Sequence, residues 1–197
     1  MRKKELEMAL QKVHGFESPD PSLEQYMTPA SMAADILFSA WSAGDVEGLK
    51  VIDLGCGTGM FTIGALLMGA GMAVGYDVSK EALAVARSNA ELLGVSPEFV
   101  ECDVHAVDDG ADTVVMNPPF GCQTRNADRP FLEKAMEMSE CVYSIHMANS
   151  VDFVLGFAER HGRTAKVCAT YKYVIPHTFA FHSRTNKAVD VAVVNIR

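Results

Sequence analysis

The sequence lacks the cysteine pairs that mark a disulfide-stabilised fold or a structural zinc site. It has five cysteines, an odd number, and no two of them stand in a C-x-x-C pair. Disulfide frameworks usually use an even number of cysteines, and structural zinc sites use closely spaced pairs. We therefore expect no metal and a reducing compartment, the cytoplasm.

Apolar runs long enough for a leader or a membrane anchor are also missing. Glu5 and Glu7 follow the basic start of the chain, where a signal peptide would be apolar. Residues 54–76 carry no charge, but seven glycines interrupt them. This punctuation favours a loop, a buried helix and a buried strand over a membrane-spanning helix.

Strand and helix patterns alternate along most of the chain, which predicts an α/β fold. The apolar fraction of 49% and the 197 residues suit a single domain, 1–197, with amino-terminal helices in 1–45 and a core in 46–197. Strands are predicted at 50–54, 72–76, 99–100, 113–116, 142–145, 167–173 and 189–196. Alternation of this kind implies a mostly parallel seven-stranded sheet with helices on both faces. No helical pattern separates the last two strands, so we expect one antiparallel edge strand.

A helix start is predicted at Thr28-Pro29, since threonine is a good cap and proline fits the first helical turn.

A glycine-rich turn, Asp53-Leu54-Gly55-Cys56-Gly57-Thr58-Gly59, follows the first predicted strand. Asp77 and Asp103 end the next two strands, where open α/β sheets bind ligands and a carboxylate can accept from ribose hydroxyls or an adenine amino group. The turn has no basic residue that could serve a phosphate. An adenosine ligand with a sulfonium group explains these features better than a nucleotide does. Each feature alone could instead be a ligand-free turn or a helix cap.

The tetrapeptide Asn117-Pro118-Pro119-Phe120 ends the fourth predicted strand. Prolines have no N–H, so the Asn117 side-chain oxygen and the Pro118 carbonyl can accept both hydrogens of one amino group. Phe120 can stack on a planar substrate. The simpler reading is a rigid loop with Phe120 in the core. Ser144, His146 and Asp152 do not match a known triad spacing.

Charge is distributed unevenly along an acidic chain. The net charge is −8, yet residues 160–187 contain six basic residues and no Asp or Glu, so the remainder carries −8 − 6 = −14. A local anion-binding surface or a merely solvated face would account for this stretch. On the first interpretation, the residues that contact phosphates or other anions are Arg160, Arg163, Lys166, Lys172, Arg184 and Lys187.

With these motifs the sequence resembles the class I methyltransferases and, more narrowly, the methyltransferase-like small-subunit ribosomal RNA adenine-N6 methyltransferases. The resemblance covers nearly the whole chain, including His14-Gly15-Phe16-Glu17, residues 23–28, 53–57, 116–121 and 142–146, and Phe181-His182. It implies a Rossmann-like fold, S-adenosyl-L-methionine as cofactor and catalysis by Asn117, Pro118, Pro119 and Phe120.

The resemblance also implies how the cofactor is held. Residues 1–45 would close over it. The implied contacts are Gln25, Thr28, Asp53, Gly55, Gly57, Thr58, Met60, Asp77, Val78, Asp103 and Val104. Eukaryotic relatives work with a small zinc-binding activator protein, for which the apolar edge near Phe99-Val100 is a candidate dock.

Several functions share these motifs. Adenine-N6 methylation of structured, ribosomal RNA is favoured. Glutamine-N5 methylation of a protein uses the same acceptor geometry, but the chain has little room for peptide recognition. DNA adenine methylation lacks an obvious recognition insert. A non-catalytic adenosine-binding module and a nicotinamide dehydrogenase are further alternatives.

Overall fold

The computed structural model describes residues 1–121, 126–175 and 187–197. The helices follow in chain order: α1 Lys3–Leu10, α2 Ala30–Ser42, α3 Met60–Leu67, α4 Lys80–Leu93, α5 Arg129–Met138 and α6 Val151–Arg160. The strands are β1 Lys50–Leu54, β2 Met72–Asp77, β3 Glu98–Glu101, β4 Thr113–Met116, β5 Val142–Met147, β6 Ala165–Ile175 and β7 Lys187–Ile196.

All seven strands form one sheet in the order β3-β2-β1-β4-β5-β7-β6. The strands β1 to β5 pair in parallel, whereas β7 is antiparallel to both of its neighbours. The fold class is therefore the expected one. The reversed strand belongs to the hairpin at one edge, where β7 is the inner strand and β6 the outermost. This arrangement lets β7 pair with β5 along six residues.

Two apolar layers cover the sheet because successive side chains of each strand point to opposite faces. Val51 and Val115 face the layer built from α1, α2 and α3. Ile52 and Val114 face the layer built from α5 and α6. Helices on both faces leave the carboxyl ends of the parallel strands as the open edge of the sheet.

The helix α4 shows how local sequence sets an element's ends. The Ser79 hydroxyl accepts from the Ala82 N–H at 3.1 Å, and Gly94 ends the helix with a φ of +67°. Both follow from the sequence, as serine caps helices and glycine takes the left-handed conformation. At α2 the expected cap is wrong. Pro29 occupies the cap position, and no side chain caps the helix.

Candidate active site

A pocket of about 330 Å³ lies at the carboxyl ends of the parallel strands. The structure brings all of the predicted cofactor contacts to its wall, together with two of the predicted catalytic residues. The predicted residues that line it are Gln25, Thr28, Asp53, Gly55, Gly57, Thr58, Met60, Asp77, Val78, Asp103, Val104, Asn117 and Pro119. The crevice outside the carboxyl ends of an open α/β sheet is where such folds bind ligands.

The glycine-rich loop after β1 folds into the pocket floor. The N–H groups of Gly55 and Cys56 both donate to the Tyr76 carbonyl, at 2.8 and 3.0 Å. Gly57 has a φ of +53°, and a Cβ there would lie 2.8 Å from the Phe16 ring. Only glycine fits both the conformation and the space.

The Asp77 carboxylate ties this loop to the end of β2. One of its oxygens accepts from the Gly57 N–H at 2.8 Å and the other from the Ser79 N–H at 2.9 Å. Burial raises the pKa of Asp77 above its ordinary value, against these stabilising hydrogen bonds. A carboxylate has about four lone-pair sites, so Asp77 can still accept from ligand hydroxyls.

The Asp53 carboxylate joins the end of β1 to α3, on either side of the glycine loop. It is 2% exposed and accepts from the N–H and the hydroxyl of Thr62, at 3.0 and 2.8 Å. Burial raises its pKa to about 7, and the nearby charge of Asp77 adds to the rise. Asp53 therefore changes charge near neutral pH.

Asp103 lies at the other end of the pocket. One of its oxygens accepts from the His105 N–H at 2.9 Å and so caps the short 3₁₀ turn Val104–Ala106. The residue is exposed at the pocket wall. The helix-cap interpretation and the ligand interpretation are thus compatible, since one oxygen serves the turn.

The Asn117 side chain has a polar atom that the protein does not satisfy. Its Nδ2 donates to Thr28 Oγ at 3.1 Å. Its Oδ1 is buried and, within the described ranges, has no hydrogen-bond partner. A buried acceptor without a partner costs about 1–3 kcal/mol, so such an atom in a pocket wall indicates a ligand donor.

The remaining residues of the tetrapeptide take different positions. Pro118 is buried behind the pocket wall. The Phe120 N–H donates to Glu24 at 2.7 Å, and its ring packs edge-on against Tyr173 with centroids 6.3 Å apart. Phe120 is not among the residues that line the pocket, so its stacking on a substrate stays a prediction.

Two aromatic residues of the pocket wall were not among the predicted contacts. Phe16 and Phe131 line the pocket, and a Cβ on Gly55 would lie 3.1 Å from the Phe131 ring.

A second group lies outside the residues that line the pocket. Ser144 Oγ lies 2.7 Å from His146 Nε2, and His146 Nδ1 lies 3.6 Å from Asp128, just before α5. The acidic residue beside this buried Ser144–His146 pair is Asp128, not Asp152.

The predicted phosphate contacts do not form one surface. Arg160, Arg163 and Lys166 lie where α6 ends and β6 begins, at the opposite end of the sheet from the pocket. Arg163 also bonds within the protein, to Glu140 and to the Met136 and Ser139 carbonyls. Lys172 lies toward the pocket end of β6. Lys187 begins β7 at that same end, and Arg184 lies outside the described residues.

Among the described residues, none of the helices is both long and apolar enough to cross a membrane. No group of three or more His, Cys, Asp or Glu side chains is placed there to hold a metal ion.

The fold and the pocket define a class before they define a family. The features suit a methyltransferase. They are a Rossmann-like sheet, a glycine loop with no basic residue for a phosphate, carboxylates at strand ends, and an asparagine oxygen without a partner among the described residues. The family model described as a methyltransferase domain matches residues 45–170, which include the loop, Asp77, Asp103 and Asn117.

Relatives narrow the family. The chain is 37% identical to the rRNA N(6)-adenosine-methyltransferase METTL5 of Danio rerio, over 100% of this chain and 98% of that protein. It is 35% identical to Mettl5 of Drosophila melanogaster, over 97% and 94%. PH1948 of Pyrococcus horikoshii, described provisionally as an RNA methyltransferase, has a crystal structure that superposes with a TM-score of 0.92 at 42% identity, over 100% and 97% of the two chains. The chain belongs to the methyltransferase-domain family and, within it, to the METTL5 group.

Proposed function

We propose that the chain is an S-adenosyl-L-methionine-dependent methyltransferase that methylates N6 of an adenine in structured RNA, within small-subunit ribosomal RNA. The observation that carries this proposal is the buried Asn117 Oδ1 in the pocket wall, which has no hydrogen-bond partner among the described residues. An acceptor in that position selects a substrate with an N–H to donate. The METTL5 relatives, named as rRNA N(6)-adenosine methyltransferases, support adenine in ribosomal RNA as that substrate.

The residues of the pocket fit S-adenosylmethionine. Asp77 would accept from the ribose hydroxyls and Asp103 from the adenine amino group, while Gly55, Gly57 and Thr58 leave backbone open to the methionine end. The buried carboxyl of Asp53 favours a cationic ligand. Phe16 and residues 23–28 line the pocket from the amino-terminal segment, which supports closure of 1–45 over the cofactor against a core of 46–197.

The protein's part in the chemistry is to position and polarise the acceptor. Asn117 Oδ1 would accept one of the two amino hydrogens, so electron density stays on the nitrogen instead of spreading into the ring. The Pro118 carbonyl, expected to accept the other hydrogen, belongs to a residue that does not line the pocket in this structure. When bound, S-adenosylmethionine would supply the methyl group, with its carbon–sulfur bond exchanged for the new carbon–nitrogen bond and a neutral thioether left behind. The methylated nitrogen would then carry a positive charge and lose one proton to solvent, so no strong base is required.

Substrate and partner contacts are further proposals. Lys172 and Lys187, toward the pocket end of the sheet, would contact RNA phosphates. The strand β3 is an edge of the sheet, but Phe99 and Val100 pack against the two apolar layers. A zinc-binding activator would therefore pair with the backbone edge of β3 more than with an apolar surface. The cytoplasm remains the proposed compartment.

The test is methylation by the purified chain of unmodified ribosomal RNA and of mixed cell protein, each with methyl-labelled cofactor. We expect label in N6-methyladenosine after nuclease digestion. Label confined to protein glutamine would refute the RNA proposal. The assay is run with and without a zinc-binding activator protein. Inactivity of the chain alone would otherwise mean either that the activator is missing or that ribosomal RNA is not the substrate.

Asn117→Ala is expected to lower kcat at least about a hundredfold, because the acceptor of the substrate N–H is lost. Calorimetry should find the cofactor Kd changed less than about threefold, since Asn117 is assigned to the substrate. Thr164→Ala, an exposed change at the far end of the sheet, is the control. Unchanged turnover in Asn117→Ala would remove Asn117 from the catalytic machinery.

A further inference from the structure

The two ends of the Asn117 amide are nearly the same size but have opposite hydrogen-bonding character. Oδ1 accepts, whereas Nδ2 donates. Only the oxygen suits an amino substrate, so the amide has to be held in one of two orientations. In the structure Nδ2 faces Thr28 Oγ at 3.1 Å, and Oδ1 is the end left without a partner in the described part of the chain.

We propose that Thr28 is a positioning residue that fixes the Asn117 amide with its oxygen toward the substrate, and that an acceptor bound in the pocket enforces this orientation through the Thr28 hydroxyl. This inference rests on the proposed function of the site. Thr28 is 5% exposed and lines the pocket beside Asn117. Its hydroxyl is therefore in contact with the Asn117 amide and belongs to the wall of the pocket proposed for the cofactor.

A hydroxyl has one hydrogen to donate and two lone pairs with which to accept. With the pocket empty, Thr28 could serve either orientation, as it can accept from Nδ2 or donate to Oδ1. A carboxylate such as that of S-adenosylmethionine can take the hydroxyl hydrogen. The oxygen is then left only as an acceptor, so Nδ2 has to face it and Oδ1 has to face the substrate.

A second hydrogen bond also joins residues 24–28 to the loop 117–120. Glu24, which is 7% exposed, accepts from the Phe120 N–H at 2.7 Å. Two hydrogen bonds thus join residues 24–28 to the loop 117–120, one to a backbone N–H and one to the amide. These two hydrogen bonds hold the loop 117–120 beside residues 24–28, so the Asn117 amide stays within reach of the Thr28 hydroxyl.

The test compares Thr28→Val, which keeps the shape and removes the hydroxyl, with Thr28→Ser, which restores the hydroxyl. The substrate is an RNA fragment that contains the target adenosine. At saturating S-adenosylmethionine, we expect kcat to fall about tenfold to a hundredfold in Thr28→Val and to return to within about threefold of wild type in Thr28→Ser. Thr28→Ala is the substitute if the valine variant does not fold.

Competition binding separates the orientation of the Asn117 amide from its packing. The measured quantity is the ratio of Kd values for the adenosine RNA and for the same RNA with inosine in place of the target adenosine. Inosine presents a carbonyl instead of an amino group. Wild type should favour adenosine over inosine, and Thr28→Val should lose most of that preference because its amide can turn Nδ2 toward the carbonyl. Full kcat in Thr28→Val once the cofactor is saturating, or an unchanged preference for adenosine, would overturn the inference. A wild type that methylates no RNA adenine would instead refute the proposed function.

Discussion

At the scale of single residues, Asp53 shows how burial gives an ordinary carboxyl a new property. It lies near the end of β1, next to the glycine loop, is 2% exposed, and accepts hydrogen bonds from the N–H and the hydroxyl of Thr62. Burial holds its pKa at about 7. Below that pH the carboxyl is mostly neutral, and above it the group is mostly an anion that favours a nearby cation.

The affinity for S-adenosylmethionine should therefore rise with pH. A bound sulfonium stabilises ionised Asp53, so binding releases a proton and tightens by up to about tenfold between pH 6 and pH 8. S-adenosylhomocysteine has the same amino acid and nucleoside but a neutral sulfur, so its affinity should change less with pH than that of S-adenosylmethionine. Calorimetric Kd values for both ligands at pH 6, 7 and 8 test this expectation.

Asp53→Asn is the matched variant for the pH effect, because it keeps an acceptor for Thr62 and cannot ionise. Its ratio of the two affinities should not change with pH. If the wild-type ratio is equally flat, the charge of Asp53 does not act on the ligand.

How far the sequence predicts single residues depends on how local their role is. The places of Gly57 and Asp77 in the pocket wall could be predicted from the sequence, because a tight turn and a strand end are local features. Thr28 could not be assigned in full. Next to Pro29 it has the sequence of a helix cap, yet its hydroxyl bonds to Asn117, 89 residues away. Asp128 and His146 likewise meet only through the fold.

At the scale of elements, one helix residue ties the amino-terminal segment to the glycine loop. Asn89 on α4 is fully buried and accepts from the His14 N–H at 2.8 Å. Its Nδ2 donates to the carbonyls of His14 and Thr58, both at 3.0 Å. Three segments distant in sequence are thus held by a single amide.

Asn89→Ala is expected to lower the free energy of unfolding by about 2–4 kcal/mol, because it leaves buried backbone groups of His14 and Thr58 unpaired. Cofactor affinity should weaken as well, since the loop and the segment both line the pocket. Ser88→Ala, at an exposed position of the same helix, should change the free energy by less than about 0.5 kcal/mol. Chemical denaturation measures both. Equal stability of the two variants would contradict this role of Asn89.

The elements themselves were largely predictable. The predicted span 50–54 matches the structure, and the ends of α4 lie at Ser79 and Gly94, because apolar runs, caps and glycines are local signals. The position of β7 between β5 and β6 could not be predicted in this way. Strand order depends on pairing between residues that are far apart in the chain, such as Tyr143 and Asn195.

At the scale of the whole molecule, the sheet separates residues that the sequence places together. Lys166 and Lys172 lie on the same strand six residues apart, which at about 3.3 Å per residue is about 20 Å. Only the second is at the pocket end. The basic stretch is therefore continuous in sequence and divided in space.

Lys172→Ala should raise KM for ribosomal RNA severalfold, most strongly at low salt, because a phosphate contact near the pocket is lost. Lys166→Ala should leave KM within about twofold of wild type. Steady-state kinetics at two salt concentrations make the comparison. A larger effect from Lys166 than from Lys172 would mean that RNA extends along the sheet to its far end.

The most direct test of the central claim is a map of methylated adenines in small-subunit ribosomal RNA from cells with the gene, without it, and with the Asn117→Ala form. We expect N6-methyladenosine at a defined position that disappears on deletion, returns with the wild-type gene and does not return with Asn117→Ala. Identical maps in all three strains would contradict it.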